Sequence, residues 1–408
     1  MKTNKTFYGL PSEVRFCRKT LMSNQRPSSA IEFKHNLKSK KKGFYINKDG
    51  VSETWKFSRK KNKINFKKRE EALLKLLDKH RGKHGKYDCI VPGSGGKDSC
   101  YASHILKFKY GMNPLTVTWP PILYTDYGKE NFNNWIKSGN LKNVSAKRDK
   151  ETMKILTKFS ILNLFHPFQT FILGQKIFPI KIALKYNIPL VFYGENEAER
   201  GNQVKDNLKS IRDRSYHTLK NKNEIYLGGV KYKNLITKYQ IEEKNLKIFL
   251  PPDEKLFKNK KIEIHYLGYF LKWIPQETYY FAVKNCNFRP RPFRTSGTYS
   301  KYNSIDDKID DLHYYTTYIK FGIGRASYDA FQELLNDHLN IYEARKLIAK
   351  YDGEFPNVYF NDIMKYLNID PEFFKGKLTD RFRPPHLWKK IKNKWYLRHN
   401  CNFTGVDD

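Results

Sequence analysis

The sequence predicts an α/β fold: a parallel sheet with helices on both faces, followed by a mostly helical C-terminal part. Three observations carry this reading. First, Tyr87–Tyr110 reads YDCIVPGSGGKDSCYASHILKFKY, an apolar run that breaks at Pro92-Gly93 and resumes with Tyr101, His104, Ile105 and Phe108 at helical spacing. Second, Asn113–Thr118 (NPLTVT) and Ile188–Tyr193 (IPLVFY) are further short apolar runs of strand length. Third, helical patterns fill the intervals between them, which is the alternation expected of a parallel sheet.

The loop between the first strand and its helix carries the first chemical signal. Gly95 and Gly96 let the backbone approach phosphate oxygens, Ser94 and Ser99 offer hydroxyls, and Lys97 adds a point charge. The spacing is neither GxxxxGK[ST] nor GxGxxG. SGGKDS (Ser94–Ser99) resembles the pyrophosphate-binding loop of the PP-loop ATPases, enzymes that split ATP into AMP and pyrophosphate to adenylate a carbonyl oxygen. That resemblance implies an ATP site built from Ser94, Gly95, Gly96, Lys97, Asp98 and Ser99, and ATP and Mg²⁺ as cofactors.

Composition sets the outer bounds. With 408 residues the chain can bury a sizeable core, and its length suggests two or three domains. The first residues lack an apolar run of signal-peptide length, and no stretch approaches a membrane span, so no span is expected. Cys17, Cys89, Cys100, Cys286 and Cys401 are scattered without paired spacing, which fits a reducing cytoplasm. Net charge is +36, and residues 1–87 hold 25 Lys and Arg against 7 Asp and Glu. An anionic partner accounts for that excess, and so does a solvated lysine-rich face in a chain of AT-rich coding bias.

Taken in order, Phe16–Ser29 (FCRKTLMSNQRPSS) and Ile46–Trp55 (INKDGVSETW) resemble the start of the N-acetyl sugar amidotransferases. These PP-loop enzymes make acetamidino sugars for surface polysaccharides or flagellar glycans. The family carries two CxxC pairs here, a four-thiolate zinc ribbon. This chain keeps Cys17 alone, with Thr20, Ser52 and Trp55 at the other positions, so a degenerate ribbon without zinc is expected. The second half of Lys56–Lys86 has helical periodicity.

Beyond the loop, NPLTVT ends at Trp119, and a position past a strand's carboxyl end places Thr118 and Trp119 beside a bound nucleotide. Helices are expected over 128–138 and 150–165, with a short strand over 143–146. His166–Tyr186 is read as a helix broken at Pro167 and Pro179, with His166 and Gln175 as its polar exceptions. IPLVFY is followed by GENEAE (Gly194–Glu199), whose carboxylates and amide fit either Mg²⁺ beside a triphosphate or an acidic helix start. Arg200–Lys260 reads as a charged, irregular insertion.

Gln276 and Glu277 follow Pro275 in a turn that the family resemblance makes substrate-facing. Phe293–Tyr302 offers Arg294, Lys301 and several hydroxyls, suited to a sugar phosphate or to an ordinary polar loop. Ile305–Arg325 (IDDKIDDLHYYTTYIKFGIGR) also resembles the family. His313 there is an acid/base candidate or a satisfied structural histidine, and Arg325 is a substrate-side cation. The closing RFRPPHLWKKIKNKWYLRHN is basic and aromatic, as a nucleic-acid or partner contact would be, or a surface helix.

The expected organisation is a ribbon-like segment over 1–60, an ATP-binding domain over 61–215, a substrate-binding insertion over 216–302 and a helical region over 303–408. The resemblance implies catalytic roles for Lys97, Asp98, Glu195 and His313. It implies nucleotide contacts from Gly194, Thr118 and Trp119, and substrate contacts from Gln175, Asn196, Glu197, Gln276, Arg294, Lys301 and Arg325. Mg²⁺ would fall to Asp98, Glu195 and Glu197. The implied reaction converts the N-acetyl group of a nucleotide-linked sugar to an acetamidino group. No glutaminase signature is present, so ammonia is expected from a glutaminase and a cyclase-like channel subunit resembling imidazole glycerol phosphate synthase. The rival reading is a tRNA-modifying PP-loop enzyme, which alone would make nucleic acid a partner.

Overall fold

The computed structural model describes residues 6–61, 63–195, 209–219, 221 and 224–401. Five strands form the central sheet: β1 (Cys89–Pro92), β2 (Pro114–Thr118), β3 (Lys142–Ser145), β4 (Leu190–Tyr193) and β5 (Glu263–Tyr266). All pairings are parallel, in the order β3-β2-β1-β4-β5. The chain winds outward from β1 to β3, then returns to the other side through β4. The reversal falls between β1 and β4, and a crevice at their carboxyl ends is where such sheets take ligands.

Alternation along each strand divides the core into two layers. Ile90, Leu115, Val117, Val191 and Ile264 face one side, packed with Met153, Leu156, Leu173, Ile177 and Ile180. Those partners come from α5 (Lys150–Leu164) and α6 (Gln169–Tyr186). Cys89, Val91, Leu190 and Phe192 face the other side, against Leu73 and Leu77 of α2 (Phe66–His80) and Ala102 of α3 (Lys97–His104). The fold class expected from the sequence is thus the one observed.

Local chemistry sets the helix ends. Asn65 accepts from Lys68 N–H to cap α2, and Asp149 accepts from Thr152 N–H to cap α5. Thr125 accepts from Gly128 N–H to cap α4 (Asp126–Ser138). Pro179 does not break α6, contrary to the sequence expectation. A mid-helix proline costs about 3 kcal/mol, but Leu173, Ile177, Phe178, Ile180 and Ala183 of this helix are all buried on the sheet.

The segment after β4 is more than an irregular insertion. Among its described residues, Leu219, Ile225, Leu227, Leu235, Leu246, Phe249 and Phe257 join the α5–α6 layer of the core. The chain then runs through β5 to α7 (Pro275–Cys286), where Pro275 occupies the first turn. The C-terminal part is helical, with α8 (Ile309–Phe321), α9 (Arg325–Leu335), α10 (Ile341–Tyr351) and α11 (Asn357–Leu367). It ends in an antiparallel hairpin, Trp388–Ile391 with Lys394–Leu397, where the sequence had suggested a surface helix. Lys392 and Asn393 at its tip have positive φ, which turns the chain back.

The N-terminal segment packs on this helical part: Leu10, Cys17, Met22, Phe44 and Ile46 share a cluster with Phe321, Ile323, Phe331 and Leu335. Two isolated bridges, Phe16 to Ser23 and Ile46 to Ser52, mark its two turns. Ser52 N–H donates to Cys17 Sγ at 3.3 Å, and Thr20 and Ser52 are buried beside it. No helix among the described residues is long and apolar enough to cross a membrane.

One glycine in α6 tests the packing at the sheet's end. A Cβ on Gly174 would lie 2.2 Å from the Trp119 ring, which is itself wedged against Phe178 and Phe249. Gly174→Ala is expected to destabilise the fold by about 1–3 kcal/mol through overpacking, read as a lower urea midpoint with an unchanged slope. An unchanged midpoint would mean that Trp119 moves freely.

Candidate functional site

The glycine loop leaves β1 at the sheet's reversal point. Gly95 has φ +88°, and a Cβ there would strike the Phe132 backbone at 2.6 Å, so α4 and the turn both demand glycine. Gly194 ends β4 so close to α3 that a Cβ would lie 2.4 Å from the Asp98 carbonyl oxygen. Gly96 differs from both. It is the N-cap of α3, no side chain caps that turn, and nothing lies within 4 Å of its Cβ position. This open side faces a cavity of about 700 Å³, within the range of small-ligand sites.

Lys97 and Asp98 sit at the cavity wall as a contact pair, Nζ to Oδ2 2.7 Å, with both side chains largely buried. Trp273 Nε1 donates to the other carboxylate oxygen, Oδ1, at 3.0 Å, and the Lys97 ammonium lies 5.7 Å from the Trp273 ring centre. Asp98 is therefore held from two sides, and Lys97 is aimed by its neighbour. Ser94 hydrogen-bonds Asp306, a carboxyl that burial raises above its ordinary range and that Ser94 opposes. Ser99 donates inward to the Gly96 carbonyl at 2.9 Å.

The opposite wall is the 304–333 segment. Asp307 accepts N–H groups from Ile122 and Leu123 and from Ile309 at the start of α8. Burial pushes its pKa up to about 7, against the pull of those three donors. Asp310, in the first turn of α8, is raised well above the carboxylate range by burial and then by Asp306 and Asp307. Arg325 pairs with Asp329 at 3.0 Å and donates to Ser304 Oγ and Tyr314 Oη. Burial lowers the His313 pKa to about 3, so its imidazole is neutral at physiological pH.

Of the residues expected from sequence, Ser94, Gly96, Lys97, Asp98, Ser99, Trp119, Gln175, Glu195, Gln276, His313 and Arg325 line this one cavity. Gly95 and Gly194 shape the loop behind it. Thr118 turns away: its hydroxyl accepts from Asn143 Nδ2 at 2.9 Å, inside the sheet. Arg294 is committed to Glu354 through two bonds of 2.5 and 2.6 Å, and Lys301 reaches the Pro292 carbonyl at the surface. Neither lines the cavity. Asn196 and Glu197 lie outside the described residues.

Sequence reasoning did not single out Trp273, Asp306, Glu32, Arg26 or Lys320, all of which line the cavity. Asp306 was visible as part of the DDKIDD run. Trp273 had no local signal, because only the tertiary fold brings it to Asp98.

Residues 296–400 match the family model described as LPS biosynthesis protein WbpG-like, C-terminal domain. This span holds most of the wall opposite the glycine loop. A 53-residue stretch is 43% identical to uncharacterized protein MJ1599 of Methanocaldococcus jannaschii, covering 13% of this chain and 19% of that protein. The chain is also similar to a solved NMN synthetase from Francisella tularensis, with TM-score 0.26 and 16% identity over 34% of this chain and 57% of that one. A solved NH3-dependent NAD synthetase from Campylobacter jejuni gives TM-score 0.27 and 16% identity over 33% of this chain and 59% of that one. The chain thus spans less than two thirds of each of these relatives.

Glu333, on the far wall, supplies a pH test. Burial and then the Asp329 charge raise its pKa to about 7, against a hydrogen bond from Tyr299. The folded value lies above the ordinary 4.5, so between these two the folded chain holds a proton that the unfolded chain has released. Its contribution to stability is full below the unfolded value and is lost as pH rises through about 7. Relative to Glu333→Gln, the wild type is expected to lose urea stability between about pH 5 and about pH 8. A gap that stays constant or widens in favour of the wild type would contradict this assignment.

Proposed function

We propose that the protein is an ATP-dependent, AMP-forming amidotransferase that converts the N-acetyl group of a nucleotide-linked sugar to an acetamidino group in surface-polysaccharide biosynthesis. One observation carries the reading. The SGGKDS loop and the WbpG-like segment form facing walls of a single cavity, with Gly96 open toward it. The loop's resemblance to PP-loop ATPases supports the nucleotide half. The match of residues 296–400 to the WbpG-like LPS biosynthesis family supports surface-polysaccharide synthesis as the setting.

In this reading the acetamido oxygen attacks the α-phosphorus of ATP, the bond to the β-phosphate oxygen breaks, and pyrophosphate leaves. Ammonia then attacks the imidoyl carbon, and AMP leaves with the former acetamido oxygen. Backbone N–H groups at the start of α3 and the Lys97 ammonium would hold the departing pyrophosphate. Asp306 orients Ser94 beside it, and Trp273 and Asp98 keep Lys97 in place. Neutral His313 would accept or donate a hydrogen bond to the substrate and would not act as a cation. Arg325 would face the sugar side with its geometry fixed by Asp329. Asp98 and Glu195 line the same cavity and offer hard oxygen donors that suit Mg²⁺. Bound there, Mg²⁺ supplies charge neutralisation on phosphate oxygens. Ammonia would come from separate glutaminase and channel subunits.

Pyrophosphate release from Mg·ATP with ammonium chloride, across nucleotide-linked N-acetyl sugars and bulk tRNA, tests the proposal. A sugar-dependent signal is expected, with a product lighter by about one mass unit as oxygen is replaced by NH. Lys97→Ala should lower kcat by about 10²–10³ through loss of charge stabilisation, with folding retained by circular dichroism. A signal with tRNA alone would overturn the sugar reading.

A further inference from the structure

A second cluster of metal-ligating side chains lies outside the glycine loop. Glu32 sits in a short 3-10 turn (Glu32–Lys34), and His35 follows it directly. His166 lies in the connection between α5 and α6, where Phe165 takes a left-handed conformation. One ligand atom from each of the three falls within 4.8 Å of the others. Glu32 and His35 are each 6% exposed and His166 9%, and Glu32 and His166 line the cavity.

The cluster is fixed from behind. Gln169, in the first turn of α6, donates to the Glu32 carbonyl at 2.7 Å and accepts from Gly228 N–H. Its own N–H donates to the His166 carbonyl, and His166 N–H donates to Ser160 of α5. The His313 ring stacks on the His166 ring, 5.1 Å between centres and 25° from parallel. Such supported backbones and locked rings are what a ligand set requires.

The protein leaves this cluster incompletely satisfied. Among the described residues, Nδ1 of His166 is buried with no hydrogen-bond partner, which is a costly state for a polar atom. His35 Nδ1 reaches Glu32 Oε2 at a long 3.3 Å. Lys41 and Lys320 also line the cavity, and they are the feature that opposes a cation there.

We propose that Glu32, His35 and His166 bind a transition-metal dication of the zinc class, through two imidazole nitrogens and one carboxylate oxygen, with a fourth position open toward the cavity. Two imidazoles and a carboxylate suit zinc and its neighbours better than magnesium or calcium. Three protein ligands with an open position is the pattern of a site that also meets a substrate or water. The sequence-based expectation of a zinc-free chain rested on the missing cysteines of the ribbon, and this site uses none of them. The assignment does not depend on the proposed reaction.

The test uses the full chain stripped with chelator, then titrated separately with Zn²⁺ by calorimetry and with Co²⁺ by visible absorption. One saturable equivalent per chain is expected, with four- or five-coordinate Co²⁺ bands. His166→Ala, His35→Asn and Glu32→Gln should each weaken binding by at least about 10–100-fold, with circular dichroism and the thermal midpoint confirming folded chains. The Glu32→Gln variant keeps side-chain shape and guards against loss through misfolding. Absence of saturable binding to a cooperatively melting wild type would overturn the proposal. So would binding that survives these three changes and vanishes in His80→Ala/His84→Ala, since His80 and His84 form a separate pair 2.9 Å apart.

Discussion

The cavity depends on the buried carboxylate of Asp307. Its two oxygens accept N–H groups from Ile122 and Leu123, which follow β2, and from Ile309, which opens α8. Around it, Thr125 donates to the Ile305 carbonyl, Lys308 N–H donates to Leu123, and Gly128 lies against Asp306 so closely that a Cβ would be 2.6 Å from its backbone. One short acidic run thus ties the helical C-terminal part to the carboxyl end of the sheet. Breaking a buried group of this kind costs more than its net contribution, because the stranded N–H groups lose their acceptor. This joint seats the helical wall of the cavity against the end of the sheet.

From that joint the remaining geometry follows. With 305–309 fixed on the β2–α4 connection, Asp306 reaches Ser94 and Asp310 lines the cavity. α8 then carries His313 to His166 and Lys320 to the Leu164 carbonyl at 3.1 Å. On the other flank, α3 packs on α7 and the chain before α7 delivers Trp273 to Asp98. The glycine loop is therefore held by one contact from each side of the crevice, Asp306 to Ser94 and Trp273 to Asp98.

The fold was legible because its signals are local. Unbroken apolar runs such as CIVP and LVFY, buried on both faces, and a glycine turn after a strand are written in a few consecutive residues. The loop residues were legible for the same reason. The errors have a common cause. Pro179 looked like a break because sequence shows the lost N–H and hides the buried face that outweighs it. Thr118 looked like a nucleotide contact because strand alternation alone does not say that Asn143 on β3 takes its hydroxyl. Arg294 looked available until Glu354, 60 residues away, supplied a bidentate partner. Glu32, His35 and His166 escaped notice as a group because the last two lie 131 positions apart, and no local rule joins them.

The cavity's own charges bear on what enters it. The chain carries net charge +36, yet Asp306, Asp307, Asp310, Asp329 and Glu333 line the cavity beside Lys97, Lys320 and Arg325. A channel for a polyanion would present one sign along its length. Here burial raises Asp306, Asp307, Asp310 and Glu333 above their ordinary carboxylate values, so this wall holds protons more readily than surface carboxylates do. Such carboxyls recognise neutral hydroxyl and amide groups by directed hydrogen bonds, whereas the Lys97 and α3 end favours anionic oxygens. In the function proposed above, the Lys97 end would take the phosphates and the carboxyl wall the neutral part of the acceptor. The basic excess of residues 1–87 lies mostly outside this cavity, so it constrains how the protein meets other molecules and leaves the chemistry to the buried groups.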